Sequence, residues 1–461
     1  MTMEENKLFY EQKHADDTMS EKEKEACRIY CDAYKQFLDH AKTEREAVKE
    51  AVRLAEKNGF RLFKRDMKVK EGDRVYRTMG GKAVIFAVVG KKKLDEGVNV
   101  AAAHVDAPRL DLKQVPLYED SSMALMKTHY YGGIRKYQWV AIPLALHGVI
   151  ALKNGNTMDI CIGEEENDPV FYITDLLPHL AADQNKKTLA DGITGEGLNV
   201  MVGSLPDQNL AGANRVKSAV LNLLHEKYGI QEEDLISSEL EVVPAMKARD
   251  VGLDRSLIGA YGHDDRVCAY AELQAILDLE VPEKTAICIL ADKEEVGSDS
   301  VSGMQSEAFE CFVEDLCDCQ NVKLRHCLER SFCISADVTA AYDPNFAEVY
   351  EKRNSAKINL GVGLMKFTGS RGKGGSNDAP AEVVAKVRRM LDDAHVRWQM
   401  CELGKVDQGG GGTVARFMSK RNINTIDAGV PVLSMHSPYE LVAKYDCYMT
   451  YRAMKALYDE K

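Results

Sequence analysis

The sequence feature that most constrains the fold is a series of short apolar runs that alternate with helical patterns. One run, TAICILAD, begins at Thr285, and another covers residues 332–336. Helical periodicity covers residues 265–279 before the first run and residues 306–316 between the two runs. Strands that alternate with helices form a sheet that is covered on both faces. We therefore predict an α/β fold.

A different pattern interrupts this alternation between residues 116 and 248. It begins with strand-like runs, including WVAIPLALHGVIALKNG from Trp139, and contains a helical pattern at residues 215–228. We interpret residues 116–248 as an inserted second domain, and residues 1–115 together with 249–461 as the main domain. Further helices are predicted at residues 20–58 and 439–457 from their apolar periodicity.

Composition argues against two classes of partner. The 461 residues include 60 Lys and Arg against 72 Asp and Glu, for a net charge of −12. Nucleic acids and anionic membranes are bound through basic patches, so neither is expected as a partner. No run approaches the roughly 18–20 apolar residues of a membrane-spanning helix, and the polar N-terminus lacks a signal-type apolar stretch. The protein is therefore expected to stay in the cytoplasm, and most of its 12 scattered cysteines are predicted to be reduced core residues.

Polar residues of the metal-ligand type follow several of the apolar runs. The run NVAAA precedes a His-x-Asp pair, AICILA precedes three acidic residues, and FCISA precedes one more: His104 and Asp106; Asp292, Glu294 and Glu295; Asp337. Ligands of open α/β sheets bind at the carboxyl ends of the strands. These residues are therefore predicted to converge on one crevice, although they are distant in sequence.

The chemistry of this set is rich in carboxylates, with few histidines and no required cysteine. Such ligands suit zinc, manganese or cobalt at a hydrolytic centre. Five ligands, one of them a shared carboxylate, can hold two metal ions roughly 3.5–4 Å apart.

Each residue of the set also has an ordinary interpretation. The His-x-Asp pair can cap a loop, Glu294 and Glu295 can be solvated carboxylates at the start of a helix, and Asp337 can belong to a turn. His436 can be a core residue, and Asp264 with its neighbour His263 can lie in a loop. The spacing of these residues alone leaves both interpretations open.

Six segments of the chain together resemble one known family. In order, they are AAHVDAPRLDLK, YGGIRKYQWVAIPLALHGVI, GHDDRVCAYAELQAILD, DKEEVGSDSVSGMQS, ISADVTAAYDPN and DAGVPVLSMHS. They resemble the aspartyl aminopeptidase and aminopeptidase I family of metallopeptidases, from about residue 75 to the C-terminus.

The resemblance implies a role for each candidate residue. Asp264 would bridge two divalent metal ions, expected to be zinc, with manganese or cobalt as alternatives. One ion would also bind Glu295 and His436, and the other would bind His104 and Asp337. Two further residues complete the set: Glu294 as the general base and Asp106 as the residue that orients His104. An Asn usually follows the bridging aspartate, whereas Asp265 stands here. Whether Asp265 or His263 modifies the site is left open.

The resemblance also implies an architecture and an assembly. The proteolytic domain of the family is α/β with a mixed sheet, and its smaller, mostly β inserted domain mediates dimerisation. Family members commonly form tetrahedral dodecamers, so a homo-oligomer built from dimers is expected. In LLPHLAA, His179 resembles a histidine that reaches the active site of a neighbouring subunit, with an ordinary interface residue as the alternative.

The predicted function is the metal-dependent removal of the N-terminal residue of short peptides. Arg371 and Lys373, in the glycine-rich stretch FTGSRGKGGSNDAP, are candidates for contact with an acidic side chain or a peptide carbonyl, or are solvated loop residues. The alternatives are an N-acyl amino acid deacylase or carboxypeptidase with a related two-metal centre, and a catalytically silent peptide-binding scaffold.

Overall fold

The fold consists of three sheets and their covering helices, in a computed structural model that describes residues 8, 10, 12–14 and 16–461. In these residues the strands are β1 (Arg61–Leu62), β2 (Arg74–Met79), β3 (Ala83–Val88), β4 (Asn99–His104), β5 (Arg109–Asp120), β6 (Met123–Tyr131), β7 (Leu144–Ala151), β8 (Thr157–Ile162), β9 (Val200–Gly203), β10 (Ser238–Pro244), β11 (Arg249–Val251), β12 (Leu257–Ala260), β13 (Ala286–Ala291), β14 (Phe332–Ser335), β15 (Thr339–Ala340), β16 (Val362–Met365), β17 (Trp398–Met400), β18 (Asn424–Gly429), β19 (Pro431–Leu433) and β20 (Glu440–Ala443).

The α-helices of the same residues are α1 (Glu21–His40), α2 (Glu44–Lys57), α3 (Arg215–Tyr228), α4 (His263–Leu277), α5 (Ala308–Cys319), α6 (Leu324–Glu329), α7 (Ala381–Asp393), α8 (Ala415–Lys420) and α9 (Lys444–Asp459). None of the described helices is both long and apolar enough to span a bilayer.

The main sheet has nine strands in the order β1-β2-β3-β13-β4-β14-β18-β16-β17. Its four central strands, β13, β4, β14 and β18, are parallel, whereas β3 and β16 pair with them antiparallel. The predicted α/β class with a mixed sheet is therefore confirmed. The central parallel strands end at the same edge, which is where the candidate residues follow them.

Helices cover both faces of the main sheet. Along β4, Ala101 and Ala103 pack in one core with α4 and α9, and Val100 and Ala102 pack in another with α5 and α8. Successive side chains of a strand point to opposite faces, so an apolar run such as NVAAA fits a strand that is buried on both sides. All four residues are fully buried.

The second sheet has six strands in the order β8-β7-β10-β5-β6-β9 and a core of its own around the buried Trp139. Its strands lie between Arg109 and Pro244, and α3 packs against β6 and β9. The division at residues 116 and 248 stays a prediction. β5 begins at Arg109, before residue 116, because only four residues separate it from the end of β4 at His104.

The predicted helix at residues 20–58 was wrong as a single element. It is two helices, α1 and α2, separated by residues 41–43. Thr43 and Glu46 form a capping box at the start of α2, and such a box starts a new helix. The side chain of Lys42 turns inward at the break and donates hydrogen bonds to the carbonyl oxygens of Pro244 and Met246 at 2.8 Å each.

The predicted helix at residues 439–457 was wrong at its start. Residues 440–443 form β20, and α9 begins only at Lys444. β20 pairs with β12 and β19 in the third sheet, whose order is β11-β12-β20-β19-β15. Pairing with the distant β12 and with the nearby β19 therefore outweighs the local helical periodicity.

Gly429, the last residue of β18, packs against the backbone of Asp337, which follows β14. A Cβ atom at Gly429 would lie 1.8 Å from the main-chain oxygen of Asp337 and 3.1 Å from the Sγ of Cys268. Gly429→Ala is expected to lower the free energy of unfolding by about 1–3 kcal/mol, the usual cost of overpacking. Chemical denaturation should detect this loss. Gly372→Ala, which meets no atom within 4 Å, is the matched control, and equal stability of the two variants would contradict the expectation.

Candidate metal centre

Polar side chains gather at the carboxyl edge of the parallel strands in the main sheet. His104 is the last residue of β4, and Asp337 lies two residues beyond the end of β14. Glu294 and Glu295 begin a short 3₁₀ helix that follows β13. Asp264 joins them from the start of α4. The predicted convergence of these segments on one edge is therefore observed.

Asp264 lies between two imidazole rings. Its Oδ1 is 3.2 Å from the Nε2 of His104, and its Oδ2 is 3.1 Å from the Nε2 of His436. Each ring has a second carboxylate beside it. Asp337 Oδ1 is 3.8 Å from His104 Nε2, and Glu295 Oε1 is 3.2 Å from His436 Nε2. The five side chains thus form two groups that share the carboxylate of Asp264.

Both imidazoles are oriented through their other ring nitrogen. The Nδ1 of His104 lies 2.9 Å from the carbonyl oxygen of Asp106, and the Nδ1 of His436 lies 2.9 Å from that of Gly133. A carbonyl oxygen only accepts, so Nδ1 carries the proton in each ring and Nε2 offers its lone pair. This is the orientation in which histidines bind metal ions.

The buried carboxylate of Asp106 connects β4 with the glutamate pair. Its Oδ1 accepts the backbone N–H of Glu294 at 3.1 Å, and its Oδ2 accepts that of Glu295 at 3.2 Å and the hydroxyl of Tyr131 at 2.7 Å. Burial alone would raise the pKa of Asp106, but the hydrogen bonds with His104 and Tyr131 hold it below its ordinary value. The ionised Asp106 therefore sets the direction in which both glutamates leave the backbone.

Glu440 performs a similar task on the other side of Asp264. Its Oε2 accepts the backbone N–H of Asp264 at 3.0 Å, and its Oε1 accepts that of His436 at 2.6 Å. The sequence pattern did not indicate Glu440, Tyr131 or Gly133 as site residues. Only their positions in the sequence could have indicated them. Glu440 follows His436 by four residues, and Tyr131 and Gly133 lie in a segment that resembles the family.

Two residues of the site have left-handed backbone. The φ angle is 64° at His436 and 68° at Lys293, which directly precedes Glu294. Such angles cost a non-glycine residue of order 1–3 kcal/mol and are characteristic of functional sites. They turn His436 and the glutamate pair toward Asp264.

Three buried carboxylate oxygens of the site have no hydrogen-bond partner among the described residues. They are Oδ1 of Asp264 and both oxygens of Asp265. Ligand atoms of His104, Asp265 and Asp337 lie within 4.8 Å of one another, as do those of His104, Asp264 and Glu295. Asp265 is thus close enough to the cluster to influence a cation.

His263 is not oriented as a ligand. Its Nδ1 lies 2.8 Å from the hydroxyl of Tyr34, and its Nε2 lies 3.1 Å from the carbonyl oxygen of Ile258. Burial lowers the pKa of His263 to about 3. The neutral ring therefore holds the start of α4 against α1 through one nitrogen and against β12 through the other.

The cluster holds more buried carboxylates than its imidazoles can balance. Burial raises the pKa of Asp337 well above its ordinary value, and the neighbouring carboxylate of Asp265 raises it further. Burial likewise raises the pKa of Glu294 to about 8. Buried negative charge is costly unless it is paired, and a bound divalent cation supplies that pairing. Imidazole nitrogens and carboxylate oxygens are ligands that zinc accepts. The residues present therefore fit a divalent-cation centre.

The three predicted substrate-binding residues lie apart from this cluster. His179 is exposed in a 3₁₀ helix, Pro178–Leu180. Arg371 and Lys373 are exposed in a loop, where the Nζ of Lys373 lies 3.2 Å from Asp378. Among the residues that the structure describes, no hydrogen bond or ion pair joins these three side chains to the cluster. Their roles in binding stay predictions.

A cavity of about 280 Å³ opens beside the glutamate pair. Glu294 and Glu295 form one part of its wall, and side chains of α8, including Arg416 and Lys420, form another. The cavity is at the small end of ligand pockets, which measure roughly 300–1,000 Å³. Two carboxylates of the cluster, those of Glu294 and Glu295, therefore border a space that a small ligand can enter.

The chain matches a family model and several known proteins over nearly its whole length. The model, described as aminopeptidase I zinc metalloprotease (M18), matches residues 37–458. A probable M18 family aminopeptidase 1 of Clostridium acetobutylicum is 48% identical over 453 residues, which cover 96% of this chain and 97% of that protein.

Solved structures agree with this match. The crystal structure of an M18 family aminopeptidase from Thermotoga maritima has a TM-score of 0.94 and 43% identity, and it covers 98% of this chain and 100% of that one. The S. cerevisiae mApe1 dodecamer shares the fold, with a TM-score of 0.76, 21% identity and coverage of 94% and 96%.

These matches confirm the predicted metal-dependent aminopeptidase and do not favour the deacylase, carboxypeptidase or silent-scaffold alternatives. The family resemblance of the six sequence segments is confirmed as well. The chain belongs to the M18 family of aminopeptidase I zinc metalloproteases.

Proposed function

We propose that the site binds two zinc ions. Asp264 would serve both ions, His104 and Asp337 would hold one, and Glu295 and His436 would hold the other. The observation that carries this proposal is the position of Asp264, with one oxygen 3.2 Å and the other 3.1 Å from an imidazole Nε2. Zinc is supported by the family and by the mixed imidazole and carboxylate donors. When bound, such a pair polarises the peptide carbonyl and acidifies water.

Glu294 acts as the general base in this proposal. Its carboxylate accepts a proton from the attacking water and returns it to the leaving amine. Two observations support the assignment. Glu294 lines the cavity beside the cluster, and its direction is set by the backbone hydrogen bond to Asp106. Its neighbour Glu295 instead faces His436.

Asp106 positions both halves of the site. Its main-chain oxygen orients His104, and its carboxylate holds the backbone of Glu294 and Glu295. Because the same residue connects a metal ligand with the base, the distance between them is preserved when a substrate enters.

The enzyme works on short peptides in the cytoplasm. It forms a homo-dodecamer that is built from dimers, and the inserted domain makes the dimer contact. Absence of disulfides among its 12 cysteines supports a reducing compartment. Exposed leucines beside His179 support an interface, since Leu176, Leu177 and Leu180 are 44%, 50% and 65% exposed. In such an assembly His179 reaches the site of a neighbouring subunit. Arg371 and Lys373 border the path of the substrate.

Removal of metal should abolish activity. Dialysis against a strong chelator is expected to leave an inactive protein, because the cations polarise the peptide carbonyl. The protein should stay folded, because the chelator removes none of its side chains. Zinc should restore hydrolysis of a leucine amide, with two ions per chain by elemental analysis. Bound zinc should also raise the melting temperature, since a ligand of the native state stabilises it. Full activity of the metal-free protein would refute the proposal.

The two adjacent glutamates should respond differently to the same substitution. Glu294→Gln removes the proton acceptor but no proposed ligand, so it should keep both ions and lose roughly 10²–10⁴-fold in kcat. Glu295→Gln weakens a ligand and should lose metal as well as rate. Metal analysis and single-turnover kinetics measure the two effects. Glu329→Gln, on an exposed face of α6, is the control. The roles are reversed if Glu294→Gln loses metal and Glu295→Gln retains it.

The assembly should depend on the exposed leucines. Wild-type enzyme is expected to sediment as twelve chains of 51.3 kDa each and to cleave peptides but not folded proteins. Leu177→Lys with Leu180→Lys should give smaller species, because charge replaces apolar contact area. Leu253→Lys, at another exposed leucine, should sediment as the wild type does. A wild-type monomer that degrades folded proteins would be inconsistent with this assembly.

A further inference from the structure

We propose that Arg416 and Lys420 bind a carboxylate group of the peptide substrate in the cavity beside Glu294 and Glu295. The inference rests on the proposed function, because it adds a substrate class to the same site. Both cationic side chains line that cavity, which has a volume of about 280 Å³.

The two cations lie on one face of α8. Residues four apart in a helix are neighbours on its surface. The ring of Phe417, which also lines the cavity, is 5.8 Å from the Nζ of Lys420. Ala415 and Met418 of the same helix are buried in the core. The helix therefore presents an apolar face to the sheet and a cationic face to the cavity.

Interactions on both sides hold this wall in place. The hydroxyl of Thr413 donates to the buried Asp427 at 2.7 Å. At the other end of α8, the guanidinium of Arg421 donates to the carbonyl oxygens of Met304 and Ser306 at 3.0 and 2.8 Å. These two carbonyls belong to the segment that follows the glutamate pair. The position of α8 relative to Glu294 is thus set by direct contacts.

Arg416 and Lys420 have no carboxylate partner among the residues that the structure describes. Lys366 and Lys373, by contrast, both pair with Asp378. An unpaired guanidinium and an unpaired ammonium at one cavity are therefore available to an anionic ligand.

The chemistry of the ligand follows from the charge of the surroundings. The glutamate pair and the acidic cluster attract the amino group of a peptide but repel its carboxylates. A guanidinium binds a carboxylate through two parallel hydrogen bonds, and the ammonium of Lys420 adds a second charge. This carboxylate has two sources, the side chain of an N-terminal Asp or Glu, or the C-terminal carboxylate of a very short peptide.

Two matched substrate pairs distinguish these sources on the zinc-loaded enzyme. The first compares the p-nitroanilides of glutamate and glutamine, which differ only in side-chain charge. The second compares Leu-Leu with Leu-Leu-amide, which differ only at the C-terminus. The quantity measured is the ratio of kcat/KM within each pair, so that general effects on catalysis cancel.

Arg416→Met and Lys420→Met are each expected to lower one of the two ratios by about tenfold, the scale of one charge-assisted hydrogen bond. Arg416→Lys keeps the charge and should lower it less. A fall in the glutamate ratio assigns the carboxylate to the N-terminal side chain, and a fall in the Leu-Leu ratio assigns it to the C-terminus. Arg325→Met, an exposed arginine of α6, should leave both ratios and the melting temperature unchanged.

The inference would be overturned if both kcat/KM ratios stayed within twofold of the wild-type values in Arg416→Met and in Lys420→Met. That result differs from failure of the proposed function, in which the zinc-loaded wild type would hydrolyse none of the four substrates.

Discussion

The rest of the site is arranged around the carboxylate of Asp264, which two imidazoles share. His104 reaches it from the main sheet, and His436 reaches it from the loop between two strands of the five-stranded sheet. Two sheets must therefore be held at a fixed distance for the site to exist. Glu440 provides part of that restraint, because its two oxygens bind the backbone of Asp264 and of His436.

The parts of the structure that local sequence determines were predicted well. The apolar runs before His104, Glu294 and Asp337 are strands, and each residue lies at the same edge of the main sheet. This worked because a strand buried on both faces needs an uninterrupted apolar run, and its end is marked by the first polar residues. The helix at residues 215–228 was also predicted with its observed bounds. The assignment of a shared role to Asp264 came from the family resemblance, since its loop-like segment has no such mark.

The parts that depend on distant partners were not predictable from the sequence. Glu440 looked like a residue of the closing helix, yet it lies in a strand paired on both sides and binds two backbone N–H groups of the site. Tyr131 looked like part of a second domain, yet its hydroxyl binds Asp106. Arg416 and Lys420 line the cavity beside the glutamate pair, although no motif in the sequence singled them out. In each case the position of the residue beside the site arises from tertiary contacts, which no local pattern encodes.

The end of β6 links the second sheet to the proposed metal ligands. Tyr131, the last residue of that strand, donates to Asp106, and the carbonyl of Gly133 orients His436. One hydrogen bond thus runs from the last residue of β6 to the carboxylate beside His104, and another runs from the chain just after β6 to His436. A change in the position of that sheet, as the proposed subunit contact could produce, would alter the orientation of both histidines. Thermodynamic linkage makes the effect reciprocal: to the degree that subunit contact favours the ligand geometry, cation binding strengthens subunit contact by an equal free energy.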